Sequence, residues 1–562
     1  MASLFDDDIS DMLAADPGPA KETRDDSHDS VYQLSSSLRR FGITKLPPAE
    51  SGKALLEALT KDTLWPVTLE SGLKVDIYLW NYVVNELSKG VDVTNVLTGV
   101  YNWSYYQEKL KIESNLDRTQ EVFIYNVLKD VPMIHYSRNK KKFTCDFTPN
   151  DSSSVVEIRY ELALEKIKRS NIHVTTVDAI SRSCTTEQNI VGILGLDKKG
   201  DMSLKGALTQ LRLIITDETI ICSGIYCPCN TVIVRGVIEP YTDSIRCIEI
   251  KQPPPFIDID VPDCFGGTLT RDNVLYLERR FQHKFEHGAS ERWVVLSELF
   301  LDNEDVLNSF EVLLDSRLPL INSLCAAFLD LYQTDGFPIG IIIMGNFNSQ
   351  GFNLTGNTNH YADGFDKLYV LLMKSKFRAL LISVNFILVP GTKDATPSST
   401  MLPMPPLLAG YTSNIANRIK ASIGSNSKFM AATNPCRIRH LSKRMIFCRN
   451  DVLRKLLGSA LLTTGTAMNT TPPHELVNML THSIYGQGHI CPNKPGTNTI
   501  LKHDATLLLY PQPDLICISD LSSPPFADAK GSTVFCNVDP FHKAKSFLSY
   551  DAISGKCQKF TL

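Results

Sequence analysis

Past the triple proline Pro253-Pro254-Pro255, short apolar runs alternate with helical segments through to the C-terminus, and few architectures accept that pattern. The runs are Trp293 to Leu296, Ile339 to Met344, Leu380 to Val389, Asp514 to Ile518 and Val534 to Cys536. They lack the polar alternation of a strand with one wet face, so each is expected to be buried on both faces. Between them Asp302 to Leu318 reads as a helix, with Val306, Phe310, Leu313 and Leu314 on its buried stripe. Strands buried on both sides and broken by helices predict a layered α/β domain over 256–562, with the prolines as a stiff linker before it.

Upstream the period changes. Ile190 to Leu196, Leu211 to Thr216, Val232 to Ile238 and Ile245 to Ile250 are short β-rich runs separated by Gly, Asp and Asn turns, which predicts a small barrel of the OB-fold type over 171–255. Its only aromatics are Tyr226 and Tyr241, too few to stack bases along a strand, so it reads as a protein-binding barrel. A connecting helix is expected over 151–170, and a helical domain over 31–150. In the latter, Leu55, Leu56 and Leu59 share a face; Val75, Tyr78, Leu79, Tyr82, Val83 and Leu87 repeat at helical spacing before Gly90, a plausible C-cap; and Thr119 is expected to cap a third run from Val122 to Leu128. The basic turn Arg138, Lys140, Lys141 and Lys142 reads as a solvated loop or as a phosphate contact. Residues 1–30 are acidic and are expected to be a disordered tail, in which Leu4, Phe5, Ile9, Met12 and Leu13 among Asp6, Asp7, Asp8 and Asp11 either form a short docking segment or belong to an unselective tail.

Charge and cysteine usage narrow the function. With 57 Lys plus Arg against 61 Asp plus Glu, the net charge of −4 offers no global attraction for nucleic acid or an anionic membrane. No run approaches the roughly 18 apolar residues of a membrane helix, and the start Met1 to Asp8 is acidic rather than signal-like, so a soluble, non-secreted protein is expected. The 14 cysteines are scattered, which fits a reducing compartment. Cys227-Pro228-Cys229 with Cys247 lacks the second close pair that structural zinc requires, so buried core thiols are expected there. Gly345 to Gly351 lacks the Gly-Lys-Ser/Thr ending of a phosphate loop and reads as a strand-end turn. His489 in Gly486-Gln487-Gly488-His489 is the one histidine in a context resembling a catalytic loop.

The strand-end loops of the α/β region carry Glu298-Leu299-Phe300, Gly345-Asn346, Gly391-Thr392-Lys393-Asp394 and Ser519-Asp520-Leu521-Ser522. Their order resembles that of the calcineurin-like phosphoesterases, whose active members hold two metals with Asp and His at these places. Here Glu298, Asn346, Asp394 and His489 could still coordinate an ion. Phe300 puts a ring where a ligand is needed, and Lys393 puts a cation where an imidazole would sit. The metal site therefore reads as dismantled, with no catalytic residue, cofactor or metal expected.

A barrel followed by such a domain resembles the B-subunits of the replicative DNA polymerases, and within them the epsilon branch. The resemblance rests on Asp263-Cys264-Phe265-Gly266-Gly267, Leu296 to Asp302, Met401 to Leu407, Thr433-Asn434-Pro435-Cys436-Arg437-Ile438, Gly486 to His489 and Tyr510 to Leu515, and it covers about residues 31–562. Where the family usually has an Asn-Pro-Gly-Ser turn, this chain has Asn537-Val538-Asp539-Pro540. The resemblance implies a noncatalytic accessory subunit in the nucleus that holds the cysteine-rich, metal-binding C-terminal domain of the catalytic subunit of DNA polymerase epsilon. It also implies an N-terminal domain like the helical lid of an ATPase module, links to the replicative helicase and its GINS component, small histone-fold subunits met through the holoenzyme, and DNA reached mainly through partners. Contact segments would be the proline-rich loop Met401 to Leu408 and the stretch Arg437, Arg439, Lys443 and Arg444, unless these are ordinary surface or packing. Two rivals remain: a divergent metallophosphoesterase using Asp394, His489 and Asp520, and a B-subunit of polymerase alpha or delta.

Overall fold

The computed structural model describes residues 26–40, 43, 48–60, 66–69, 73–88, 90–98, 121–181, 186–240, 242–255, 263–267, 271–286, 288–317, 337–356, 358–397, 401–424, 427–464 and 471–562. The chain divides into two units, Met1–Asp117 and Arg118–Leu562.

In the first unit the helices Asp26–Arg40, Ala49–Thr60 and Ile77–Ser88 accompany a hairpin of Pro66–Thr68 with Lys74–Asp76. Leu34 with Leu38, Leu55 with Leu59, and Trp80 with Val83 and Leu87 recur at three- or four-residue spacing, so each helix turns one stripe into a shared core with Val75 and Val96. Gly90 adopts φ 80°, and its N–H donates to the Leu87 carbonyl at 3.0 Å, closing the third helix as expected. Three expectations change. The first helix begins at Asp26, inside the span read as tail; Val75 lies in a strand; and the helical unit stops well short of residue 150. The docking segment Leu4 to Leu13, the Thr119 cap and the side chains of Tyr78, Leu79 and Tyr82 lie outside the described residues.

The second unit opens with a correction. Val122–Tyr125 is a strand, not a helix, because its β-branched and aromatic side chains find a pairing partner in Arg437 to His440. Strands Met133–Ser137 and Lys142–Asp146 then form a hairpin, and the connecting helix runs Val155–Arg169.

Next come Gln188–Leu196, Met202–Lys205, Gln210–Ile214, Thr231–Ile238 and Ser244–Lys251. Four antiparallel pairings link them, and the parallel pairing of Ser244 to Arg246 with Arg212 to Ile214 closes them into a ring. Ile190, Leu204, Leu211, Val234 and Ile245 fill the interior. A Cβ on Gly192 would come within 2.6 Å of Leu204, so the wall can be this tight only with glycine there.

The rest of the unit stacks four layers. One six-stranded sheet runs in the order Phe429–Ala431, Asn385–Val389, Gly340–Met344, Arg292–Ser297, Ser546–Asp551, Cys557–Thr561; its first four strands are parallel. The second runs Phe526–Lys530, Thr533–Asn537, Leu515–Ser519, Lys443–Arg449, Cys436–His440, Val122–Tyr125. Trp293, Val295, Ile342 and Ile387 of the first sheet meet Ile438, Phe447 and Cys517 of the second in a buried core. Helices Glu304–Val312, Thr358–Leu372 and Ile415–Ile423 cover the first sheet's outer face through Phe310, Phe365 and Ile419. Val452–Leu457 and Pro473–Gln487 cover the second through Leu456 and Leu480. Burial on both faces explains the continuously apolar strands. Asn303 caps the helix expected from Asp302, accepting from the N–H groups of Asp305 and Val306; beyond Arg317 that expected helix passes outside the described residues.

Candidate functional site

The parallel strands of both sheets point their carboxyl ends to one place. The first sheet delivers Glu298, whose left-handed backbone (φ 54°) ends the strand Arg292–Ser297, then Asn346 and Asp394 after its next two strands. The second sheet delivers Arg449 and, in register beside it, Ser519 followed by Asp520. Glu298, Asn346, Asp394, Arg449 and Asp520 are all at most 2% exposed.

At the centre is an ion pair. Arg449 Nε donates to Glu298 Oε1 at 2.8 Å and Nη1 to Asp451 Oδ1 at 2.9 Å, while Nη1 also reaches the Ser519 carbonyl at 3.2 Å. The same Glu298 oxygen accepts from the backbone and side-chain N–H groups of Asn346, both at 3.0 Å. Burial works against the guanidinium charge, but Glu298 and Asp451 outweigh it and raise the Arg449 pKa. A fixed organic cation thus sits between two carboxylates at the strand ends.

The flanking groups are turned to structure. Asp394 accepts from the N–H groups of Phe347 (2.9 Å) and Gly391 (2.7 Å) and from the Tyr361 hydroxyl (3.0 Å). Burial pushes its carboxyl up to about 6 despite those bonds. Asp520 accepts from the Leu453 and Ser522 N–H groups, and burial raises it as well. Phe300 stacks on His542 with ring centroids 4.1 Å apart. Lys393 corrects the expectation attached to it: its backbone N–H donates to Asn346 Oδ1 at 2.9 Å while the residue is exposed, and the cation at the site is Arg449 instead.

His489 belongs elsewhere. Its Nδ1 accepts from the Cys491 N–H at 3.0 Å, and its Nε2 faces Asp504 at 3.5 Å. Asp504 in turn takes a two-pronged grip from Arg159 of the connecting helix at 2.9 and 2.6 Å. Burial, with Arg159 nearby, lowers the His489 pKa. Lys166, on the same helix, donates to the carbonyls of Pro254 (3.1 Å) and Tyr485 (3.3 Å) and of Gly486, and burial pushes it down to about 7. These buried side chains fasten the connecting helix to the layered region.

Asp394, His489 and Asp520 do not converge. Among the described residues, one set of three His, Cys, Asp or Glu ligand atoms lies within 4.8 Å: Glu121, Glu291 and His440, which the sequence reading missed. That set already holds its cations. Lys284 bridges Glu121 (2.7 Å) and Glu291, and Arg280 pairs with Glu121. Trp293 Nε1 donates to His440 Nδ1 at 3.1 Å, which leaves the His440 proton on Nε2, 2.6 Å from Glu291. Burial would raise Glu291, but His440 and Lys284 outweigh it and hold it at about 2.

Cys227 and Cys247 lie in different cores, and burial pushes their thiols up to about 11 and about 12. The supposed contact segments are packed inward. Leu402, Met404 and Leu407 are buried, and Arg437 donates to the carbonyls of Cys264, Phe265, Thr506 and Leu508. Arg439 pairs with Asp263 and Lys443 with Asp514.

Residues 293–528, from the first strand of the layered region into its second sheet, match the family of DNA polymerase alpha/epsilon B-subunits. Similar curated proteins include the DNA polymerase epsilon B-subunit of Arabidopsis thaliana, 29% identical over 61% of this chain and 57% of that one. The DNA polymerase epsilon subunit 2 of Mus musculus is 23% identical over 73% of this chain and 78% of its own length, and that of Homo sapiens is 22% identical over the same shares.

Proposed function

We propose, from the match of residues 293–528 to the family of DNA polymerase alpha/epsilon B-subunits and the likeness to epsilon subunits, that the chain is the noncatalytic accessory subunit of a nuclear DNA polymerase of the epsilon type. In this reading the closed five-stranded ring is an OB-fold, and the four-layered region, extended by residues 118–150, is an inactive calcineurin-like phosphoesterase domain. Together they hold the C-terminal metal-binding domain of the catalytic subunit. The helical unit ties the leading-strand polymerase to the replicative helicase and its GINS component, and the histone-fold subunits join through the holoenzyme.

The observation that carries the noncatalytic part is Arg449 between Glu298 and Asp451. A two-metal phosphoesterase needs open carboxylates and imidazoles around paired ions at the strand ends. Here a guanidinium takes the carboxylates, and the histidine that could have served is bonded to Asp504.

The test is co-expression with the C-terminal domain of the epsilon catalytic subunit, followed by size-exclusion chromatography with mass and metal analysis. The expected result is a 1:1 complex whose metal is accounted for by the partner. Metal bound to this chain alone, without association, would restore the phosphoesterase reading; stoichiometric recovery with the alpha or delta catalytic subunit would move the chain to that branch.

A further inference from the structure

We propose that the hairpin Met133–Ser137 with Lys142–Asp146 is a single-stranded nucleic-acid contact, in which Lys140, Lys141 and Lys142 hold phosphates and Phe147 receives a base. Ser137 pairs with Lys142, so residues 138–141 form the turn and the three lysines follow one another around its tip. The tip is held in place rather than trailing in solvent. Tyr136 and Phe143 pack with ring centroids 5.1 Å apart on the inner face, where Phe143 and Ile134 are buried, and Arg138 grips Glu157 of the connecting helix with two hydrogen bonds.

The neighbouring carboxylates are already engaged. Glu157 holds Arg138, and Asp146 accepts from the Thr148 N–H at 2.8 Å and faces His135 Nε2 at 3.1 Å. Lys140, Lys141 and Lys142 are exposed and enter no ion pair within 4 Å among the described residues; Glu161, which Tyr136 hydrogen-bonds, feels the Lys141 charge only at longer range. In a chain of net charge −4 this is a concentrated positive point. Phe147, 50% exposed, lies five residues beyond Lys142, roughly 16 Å along an extended chain. Cations at the hairpin tip and an uncovered ring at its open end suit a single strand, whose backbone can run from one to the other with its bases free to stack, better than a duplex or an acidic polypeptide. The proposal rests on the hairpin alone and stands or falls independently of the catalytic partner.

The test uses the full chain, a fluorescein-labelled dT 25-mer and a duplex of equal length, with anisotropy read from 50 to 200 mM NaCl. Three phosphate contacts at a slope of roughly −0.7 each make affinity for the single strand fall about 18-fold over that range beyond whatever the rest of the chain contributes. The variant Lys140→Gln, Lys141→Asn, Lys142→Gln loses that increment; Asn is chosen because residue 141 has φ 47°. Phe147→Ala weakens single-strand binding about five-fold or more and leaves the salt slope unchanged. Equal affinity and slope for the wild type and the triple variant, with unchanged elution volume and circular dichroism, would overturn the proposal. So would tighter binding to the duplex with Phe147→Ala silent, or binding of poly-glutamate in place of the oligonucleotide.

Discussion

Replacing Arg449 with Met tests whether the guanidinium is what keeps the strand-end carboxylates tolerable. Glu298 and Arg449 are 2% and 1% exposed, so the variant strands a carboxylate that water cannot reach, with Asn346 as its remaining donor. Breaking a buried pair from one side costs about 3–5 kcal/mol. Unfolding entropy is about 2.1 cal/mol/K per residue, which for the roughly 445 residues of Arg118–Leu562 unfolding together is about 0.9 kcal/mol/K. The expected drop in Tm is therefore about 3–5 °C by differential scanning calorimetry. The double variant Glu298→Gln, Arg449→Met removes both charges, and the new side-chain amide oxygen at position 298 can still accept from Asn346, so it should recover more than half of that drop. Asp451 keeps Arg454 at 3.2 Å in both variants. A single variant Arg449→Met that melts within 1 °C of wild type, or a double variant no more stable than that single variant, would refute the account of the site as a charge-filled pocket.

Three further outcomes follow from the packing. Lys166 has its pKa lowered in the fold to about 7 by burial, against an ordinary value near 10.4, so the unfolded chain binds the extra proton between those values. Stability should rise from pH 7 toward pH 10 by up to about 1.4 kcal/mol per unit, and pH-resolved denaturation of Lys166→Met should lack that rise. Asp504 is pulled far below the usual carboxylate range by Arg159 and His489 despite burial, so its contribution is present at neutral pH and lost as pH falls below about 4. Asp504→Asn should therefore destabilise by about 3 kcal/mol at pH 7 and shrink toward no effect at pH 2, read by urea titration at both. Gly192→Ala forces a Cβ to within 2.6 Å of Leu204 and 2.7 Å of Val177 in the barrel wall, and should cost about 1–3 kcal/mol in the same assay.

What the sequence made legible divides along physical lines. Strands such as Trp293 to Leu296 and Ile339 to Met344 announced themselves because burial on both faces leaves an uninterrupted apolar run, and the helix capped by Asn303 because its stripe repeats at three and four residues. Met202–Lys205 was missed since so short a strand brings only Leu204 and the half-buried Met202 to the barrel core, too few residues to show a period. Val122 to Leu128 misled for the opposite reason: an apolar run of that length fits a helix or a strand, and the arbiter, Arg437 to His440, lies more than 300 residues away. The site failed in the same way. Glu298, Asn346 and Asp394 were found because each lies within five residues of its strand's end, and a local motif records that. Arg449 also sits at its strand's end, but a search for metal ligands passes over arginine, and only the packing of the second sheet on the first sets it across from Glu298. A motif that has lost its ligands reads from sequence as a vacancy. In the fold the same place is held by a cation that the motif vocabulary does not contain, so a dismantled site is better sought by asking which side chain now balances the carboxylate that remains.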